Sequence, residues 1–301
     1  MSAMTYRRVT TADGNALAVR ESGPDDAPVI VCVHGYPDDG SLWDGVRALL
    51  DKDYRVVAYD VRGAGESDRP RGRPAYTMDH LKADLHAVID DVSPDAPVHL
   101  LAHDWGSCQS WYALSHGVPP RVATYTSISG PSLAQGNRWI AAQFADRATW
   151  GRGLWQLAHS AYIMFFRMPG LPVAAIRFGL FDLVLRTDRS RRRTKASRSD
   201  AISGLQLYRA NMRFGRRRRR PARTASSPVA IPVQVIAPTR DSYVSVAMQT
   251  ELGDAAPDLR VTEVDGGHWL PLSKPEIVAR HVRSFIEQRP SLRVDEPEVS
   301  A

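Results

Sequence analysis

The sequence predicts an α/β architecture: a mostly parallel eight-stranded sheet flanked by helices, with an inserted helical cap. Three observations carry this. Apolar runs of strand length alternate with segments of helical spacing, as in a parallel sheet with crossovers. The alternation stops at Pro131, gives way to irregular helical sequence until about Ala225, and then resumes. Leu100–Ser107 reads as strand, sharp turn and helix in immediate succession. The expected division is a core of residues 1–130 and 226–301 and a cap of residues 131–225. A chain of 301 residues is long enough to bury a large core with such an insertion.

The elements follow in order. Tyr6–Thr10 and Ala16–Glu21 alternate apolar and polar around Asp13-Gly14-Asn15, a pair of strands joined by a turn. Val29–Val33 is continuously apolar, as expected of a strand buried on both faces. Ser41–Leu50 has helical spacing at Leu42, Val46, Leu49 and Leu50. Tyr54–Tyr59 is the next strand, Met78–Ile89 the next helix, Val98–Leu101 the strand that enters the sharp turn, and Ser107–Leu114 the helix that leaves it. Val122–Ile128 is a strand. After the insertion come strand Pro232–Ala237, helix Ser245–Leu252, strand Leu259–Val264 and helix Pro275–Glu287, and Gln288–Ala301 reads as a loose tail.

Charge is unevenly spread. Arg186–Thr224 holds 15 Lys and Arg against 2 Asp and Glu, so one segment makes an otherwise mildly acidic protein net +6. Its run Arg216–Arg220 has the composition of a solvated linker, or of a contact with anionic lipid. No reader motif accompanies it, so nucleic acid is not an expected partner. Cys32 and Cys108 do not suggest a disulfide framework, and fit a reducing compartment. The N-terminus is not followed by an apolar stretch, which predicts no signal peptide. The most apolar region, Trp155–Leu185, is interrupted by Arg167, Pro169, Gly170, Arg177 and Asp182, which predicts no membrane span. The expected location is cytoplasmic, with peripheral contact to the inner face of the membrane as an option.

The chemistry gathers at strand ends, where open α/β sheets place their sites. Ala102-His103-Asp104-Trp105-Gly106 has the form small-x-nucleophile-x-Gly, with Asp104 at the tip. Here the residue type selects the reaction. A Ser that displaced at saturated carbon would leave an ether, which water cannot readily cleave. An Asp leaves an ester, which an activated water hydrolyses at its carbonyl. The tip therefore points to opening a C–O or C–halogen bond at sp3 carbon. His34-Gly35-Tyr36-Pro37 follows Val29–Val33 and aims the N–H of Tyr36, with that of Trp105, at a developing oxyanion. Asp60–Ser67 is glycine-rich but lacks phosphate-loop spacing, so no nucleotide is implied. Asp241 follows one late strand and His268 the next, completing the order nucleophile, acid, histidine. Asp241 would orient His268, and His268 would deprotonate water. Each residue also has a plainer role: Asp104 as a helix N-cap, Asp241 as a turn residue.

Together these residues resemble the α/β-hydrolase fold, and specifically epoxide hydrolases, over roughly residues 5–288. The chain is also similar to the hydrolase half of actinobacterial proteins that fuse this domain to a short-chain dehydrogenase. No Gly-x-Gly-x-x-Gly motif is found in it. The resemblance implies a cofactor-independent enzyme, a small-molecule epoxide as partner, with a lipid-like one as an option, and two cap tyrosines that hydrogen-bond the epoxide oxygen. Tyr162 and Tyr208 match those two positions, with packing as their plainer role. A phenol of pKa ~10 is a donor at neutral pH and roughly matches an incipient alkoxide. Pro37, Trp105, Phe165 and Trp269 are the expected substrate contacts, and Trp139, Trp155, Phe165 and Phe166 the expected cap lining. Haloalkane dehalogenases share the core motifs. Many of them have Asn where Tyr36 stands, and this departure counts against that reaction. A non-catalytic relative that binds a membrane or partner is the remaining alternative. Monomer and homodimer both stay open.

Overall fold

The computed structural model describes residues 3–117, 120–188, 190–191, 197–212 and 226–289. Eight strands form one sheet: β1 (Thr5–Thr10), β2 (Ala16–Ser22), β3 (Val29–Val33), β4 (Arg55–Tyr59), β5 (Val98–His103), β6 (Val122–Ile128), β7 (Val233–Pro238) and β8 (Leu259–Val264). Their order is β1-β2-β4-β3-β5-β6-β7-β8. The first two pairings, β1 with β2 and β2 with β4, are antiparallel, and the rest are parallel.

The residues explain the layers. Every residue of β3, β6 and β7 is buried, as expected of central strands, whose side chains here are apolar or small except for the buried Gln234 of β7. Side chains alternate between faces with period two. Val31, Val33, Leu100 and Ala102 join the core on one face, under helices α2 (Met78–Val92) and α3 (Trp105–Ser115). Ile30, Cys32 and Leu101 join the other, under α1 (Asp44–Leu50) and, late in the chain, α12 (Pro275–Glu287).

Between β6 and β7 lie helices α4 (Leu133–Ala145), α5 (Trp150–His159), α6 (Tyr162–Arg167), α7 (Leu171–Arg177), α8 (Leu180–Leu185) and α9 (Arg198–Asn211). After β7 come α10 (Val246–Thr250) and, before α12, the short α11 (Leu270–Ser273). The predicted Arg216–Arg220 run, the expected cap-to-core boundary at residues 225 and 226, and the tail beyond Arg289 lie, wholly or in part, outside the described residues.

Two expectations are adjusted. The expected helix at Ser41–Leu50 is divided: Gly40–Trp43 is a tight 3-10 turn, capped by the Asp39 carboxylate, which accepts from the Ser41 N–H, and α1 follows. The helix expected at Ser107 begins at Trp105, directly after Asp104. The Asp60–Ser67 turn has a structural role. Asp60 accepts from the Gly40 and Glu66 amides, and the Arg62 side chain is fully buried against Asp84 and Asp13. Cys32 and Cys108 are both buried free thiols.

Candidate active site

Asp104 closes β5 and precedes α3 with φ 53° and ψ −123°, a conformation that non-glycine residues rarely hold. The surrounding chain pins it there. The Asp104 amide donates to the Ile128 carbonyl at 3.0 Å. A Cβ on Gly106 would stand 2.3 Å from the Val33 carbonyl oxygen, and one on Gly35 would stand 2.3 Å from Asp104 Oδ1. Only glycine permits these two approaches, so the sharp turn and the loop after β3 meet at the carboxylate.

The two carboxylate oxygens of Asp104 have different surroundings. Oδ1 accepts from the Tyr36 amide at 2.7 Å. Oδ2 lies 3.6 Å from His268 Nε2. On its other side the His268 ring donates from Nδ1 to Asp241, with both carboxylate oxygens at 3.1 Å. That bond leaves Nε2 aimed at Asp104. Asp241 Oδ1 also accepts from the amides of Tyr243 and Val244. His34 and His103, expected to serve turns, brace the site. The Val61 amide donates to His34 Nε2, so Nδ1 carries the proton and donates it to the Gly35 carbonyl. His103 Nε2 lies 2.9 Å from the His268 carbonyl.

Charge follows from this packing. Burial alone would lower the His268 pKa, but the carboxylates of Asp241 and Asp104 outweigh it and push the ring up to about 10. Burial would raise Asp241, yet His268 and the amide donors hold it below its ordinary value. His103 is pulled down to about 4 by burial and by the neighbouring His268, and so stays neutral.

Above Asp104 is a cavity of about 380 Å³. Tyr162 from α6 and Tyr208 from α9 line it with their rings 6.0 Å apart. Burial, with the Asp104 charge among the further causes, drives both phenols well above pH 10, which keeps them protonated donors. Pro37, Phe165, Phe166 and Trp269 line the same space. Three expected contacts lie elsewhere. Trp105 lies beneath Tyr208, ring centroids 5.0 Å apart, and faces a smaller neighbouring pocket. Trp139 borders a separate groove, where its indole donates to Glu251. Trp155 is exposed on α5 and stacks on His159. Trp105 was expected from its place directly after Asp104, and Trp139 and Trp155 as aromatic residues of the insertion; neither ground specifies which way an indole ring turns.

Sequence reasoning missed three residues. Tyr243 lines the cavity, its ring centroid 4.7 Å from that of His268 and 5.6 Å from that of Tyr162. Its position two residues after Asp241 is the only sequence signal for it. Gln156 on α5 donates to the Tyr243 carbonyl and accepts from the Ser245 amide. Asp38 accepts from the Trp269 indole at 2.7 Å and pairs with Arg191 at 3.1 Å. Neither of these two has a local signature.

Comparison with known proteins gives the same outline. The model of the family described as alpha/beta hydrolase fold matches residues 28–275. The chain is 34% identical over 296 residues to the probable oxidoreductase EphD of Mycobacterium tuberculosis, a match covering 93% of this chain and 49% of that protein. It is 36% identical over 178 residues to epoxide hydrolase A of the same organism, covering 58% of this chain and 52% of the other. The chain thus spans about half the length of these curated relatives. Among solved structures, a variant of a Bacillus megaterium epoxide hydrolase in complex with its diol product superposes with a TM-score of 0.76 at 20% identity. That match covers 93% of this chain and all of the other, and shows a shared fold.

Proposed function

This chain belongs to the α/β-hydrolase fold family, and from that premise we propose that it opens epoxides to vicinal diols through a covalent ester on Asp104. The observation that carries the reading is the Asp104 carboxylate itself, one oxygen held by the Tyr36 amide and the other directed at His268, beneath two phenols in an apolar cavity. The relative named epoxide hydrolase A supports the same reaction class. Helices α4–α9 act as the cap that supplies the phenols.

The roles follow from the geometry. Oδ2, which accepts from no backbone amide among the described residues, attacks a ring carbon. The carbon–oxygen bond of the strained ring breaks, and its electron pair goes to the ring oxygen, which Tyr162 and Tyr208 hydrogen-bond and which takes the proton of one of them. Oδ1 becomes the carbonyl oxygen of the new ester, already on the Tyr36 amide. His268 then takes a proton from water at Nε2, and the hydroxide adds to the ester carbon. The negative charge collects on Oδ1, where the amides of Tyr36 and Trp105 stabilise it. One such donor is worth about 10²–10³ in rate. Collapse expels the diol oxygen, which takes back the proton held by His268, and the proton left on the regenerated carboxyl returns through solvent to the phenolate, so Asp104 ends as a carboxylate and the tyrosine as a phenol.

The charge on His268 changes at the right step. Asp104 helps keep the ring protonated only while it is a carboxylate. Esterification removes that charge and lowers the affinity of the ring for its proton, so His268 releases that proton to solvent and is free to act as the base once there is an ester to hydrolyse.

The test is intact-protein mass spectrometry with styrene oxide. Wild type should form diol. His268→Gln should accumulate an adduct of one epoxide mass, and Asp104→Ala should form neither adduct nor diol. Diol from Asp104→Ala at the wild-type rate, or no adduct on His268→Gln, would overturn the assignment. Halide released from bromoalkanes without diol from any epoxide would move the assignment to a dehalogenase.

A further inference from the structure

Helices of soluble proteins ordinarily turn their apolar side chains inward. Helices α6–α8 bury Ile163, Phe166, Ile176 and Leu185 in this way but leave other apolar side chains facing outward. Phe178 between α7 and α8 is 83% exposed, Leu183 63%, Val184 60% and Leu180 57%, and Met164, Met168 and Leu171 are exposed on the same run. An apolar surface this dense marks an interaction site. Leu180 and Val184 carry a second fact: both also line the cavity above Asp104. A side chain that touches both cavity and solvent marks a mouth, so the cavity opens in the middle of this apolar face.

That position discriminates between occupants. A protein partner or second copy seated permanently on the face would seal the cavity from its substrate. A bilayer would instead present apolar molecules to the mouth. The charges agree: residues 167–186 carry Arg167, Arg177 and Arg186 against the single carboxylate of Asp182. Arginines interspersed among exposed apolar side chains complement anionic lipid headgroups over an acyl layer.

We propose that the α6–α8 face docks on an anionic lipid bilayer, and that apolar epoxides pass from the bilayer into the cavity past Leu180 and Val184. The docking stands on the exposed face alone, and the delivery rests on the epoxide-hydrolase reading.

The experiment is co-sedimentation with vesicles of phosphatidylglycerol and phosphatidylcholine, beside turnover of dissolved styrene oxide. Wild type should pellet with phosphatidylglycerol vesicles, less so as sodium chloride is raised and less on pure phosphatidylcholine. Phe178→Ser and Leu183→Ser combined should weaken partitioning about tenfold or more, since each deletes a membrane-buried apolar side chain. Neither residue lines the cavity, so that variant should turn over dissolved styrene oxide as wild type does, which also reports its folding. On a long-chain epoxide embedded in the vesicles it should fall behind wild type. Absence of wild-type sedimentation, or binding indifferent to salt and to lipid charge, overturns the docking. So does a wild-type dimer that the double substitution converts to monomer without any vesicle binding. Vesicle binding without styrene oxide turnover by wild type would leave the docking and remove the epoxide reading.

Discussion

At the scale of single residues, the site depends on atoms that are absent as much as on those present. Gly35 has no Cβ where one would stand 2.3 Å from Asp104 Oδ1 and 2.6 Å from the Trp105 nitrogen. Gly35→Ala should therefore displace the oxyanion turn and lower kcat/KM for styrene oxide by about 10²–10³, the worth of one lost donor. Steady-state kinetics on a variant with an unchanged circular dichroism spectrum decides it, and a loss under threefold would remove Tyr36 from the oxyanion role. His268 makes a second prediction, on stability. Its folded pKa, about 10, lies above its ordinary 6.5. Its stabilising contribution is therefore complete below about 6.5 and is lost as pH rises toward 10. Asp241 runs the opposite way: its depressed pKa gives a contribution that is lost as pH falls below 3.8. The difference in unfolding free energy between wild type and His268→Gln, measured by urea titration, should shrink steadily from pH 6.5 to 10. A constant difference across that window would show that the ring is neutral in the folded protein.

At the scale of elements, the sheet was readable and much of its bracing was not. β3 and β6 were legible end to end because strands buried on both faces are uninterrupted apolar or small sequence. The order Asp104, Asp241, His268 was legible because each follows a strand. Gln156 and Asp38 were not, because they act on loops 89 and 231 residues away and leave no periodic trace. The Asp60–Ser67 turn shows the same gap. Its glycines were visible, but Arg62 proves to be a buried anchor, donating from Nε to Asp84 at 2.6 Å and from Nη1 to the Ala75 carbonyl at 2.7 Å. Arg62→Met strands the Asp84 carboxylate in the core and should cost about 3–5 kcal/mol, the usual penalty for breaking a buried ion pair. Adding Asp84→Leu removes the stranded charge and should regain most of that loss in urea unfolding. A double variant no more stable than the single would mean that the pair is not acting as a buried charge couple.

At the scale of the whole molecule, the inserted helices are fastened to the core at several separate places. The Tyr36 hydroxyl donates to the Ala201 carbonyl at 3.0 Å, tying the turn after β3 to α9. Asp200 on α9 accepts from the Gly65 amide and pairs with Arg69. Gln156 ties α5 to the Asp241 turn, and Ser190 accepts from the Trp269 amide beside His268. Lifting the insertion as a rigid lid would break all of these together, including the bonds that hold the Tyr36 and Asp241 turns. Entry through the gap at Leu180 and Val184 breaks none of them. Passage should then be limited by the width of that gap, not by lid opening. Val184→Trp, which narrows the mouth far from Asp104 chemistry, should lower kcat/KM for a bulky aryl epoxide about tenfold, the scale of a single pocket contact. Propylene oxide should be little affected. Equal losses on both substrates would show that the residue acts on the chemical step, and no loss on either would show that substrate enters by another route.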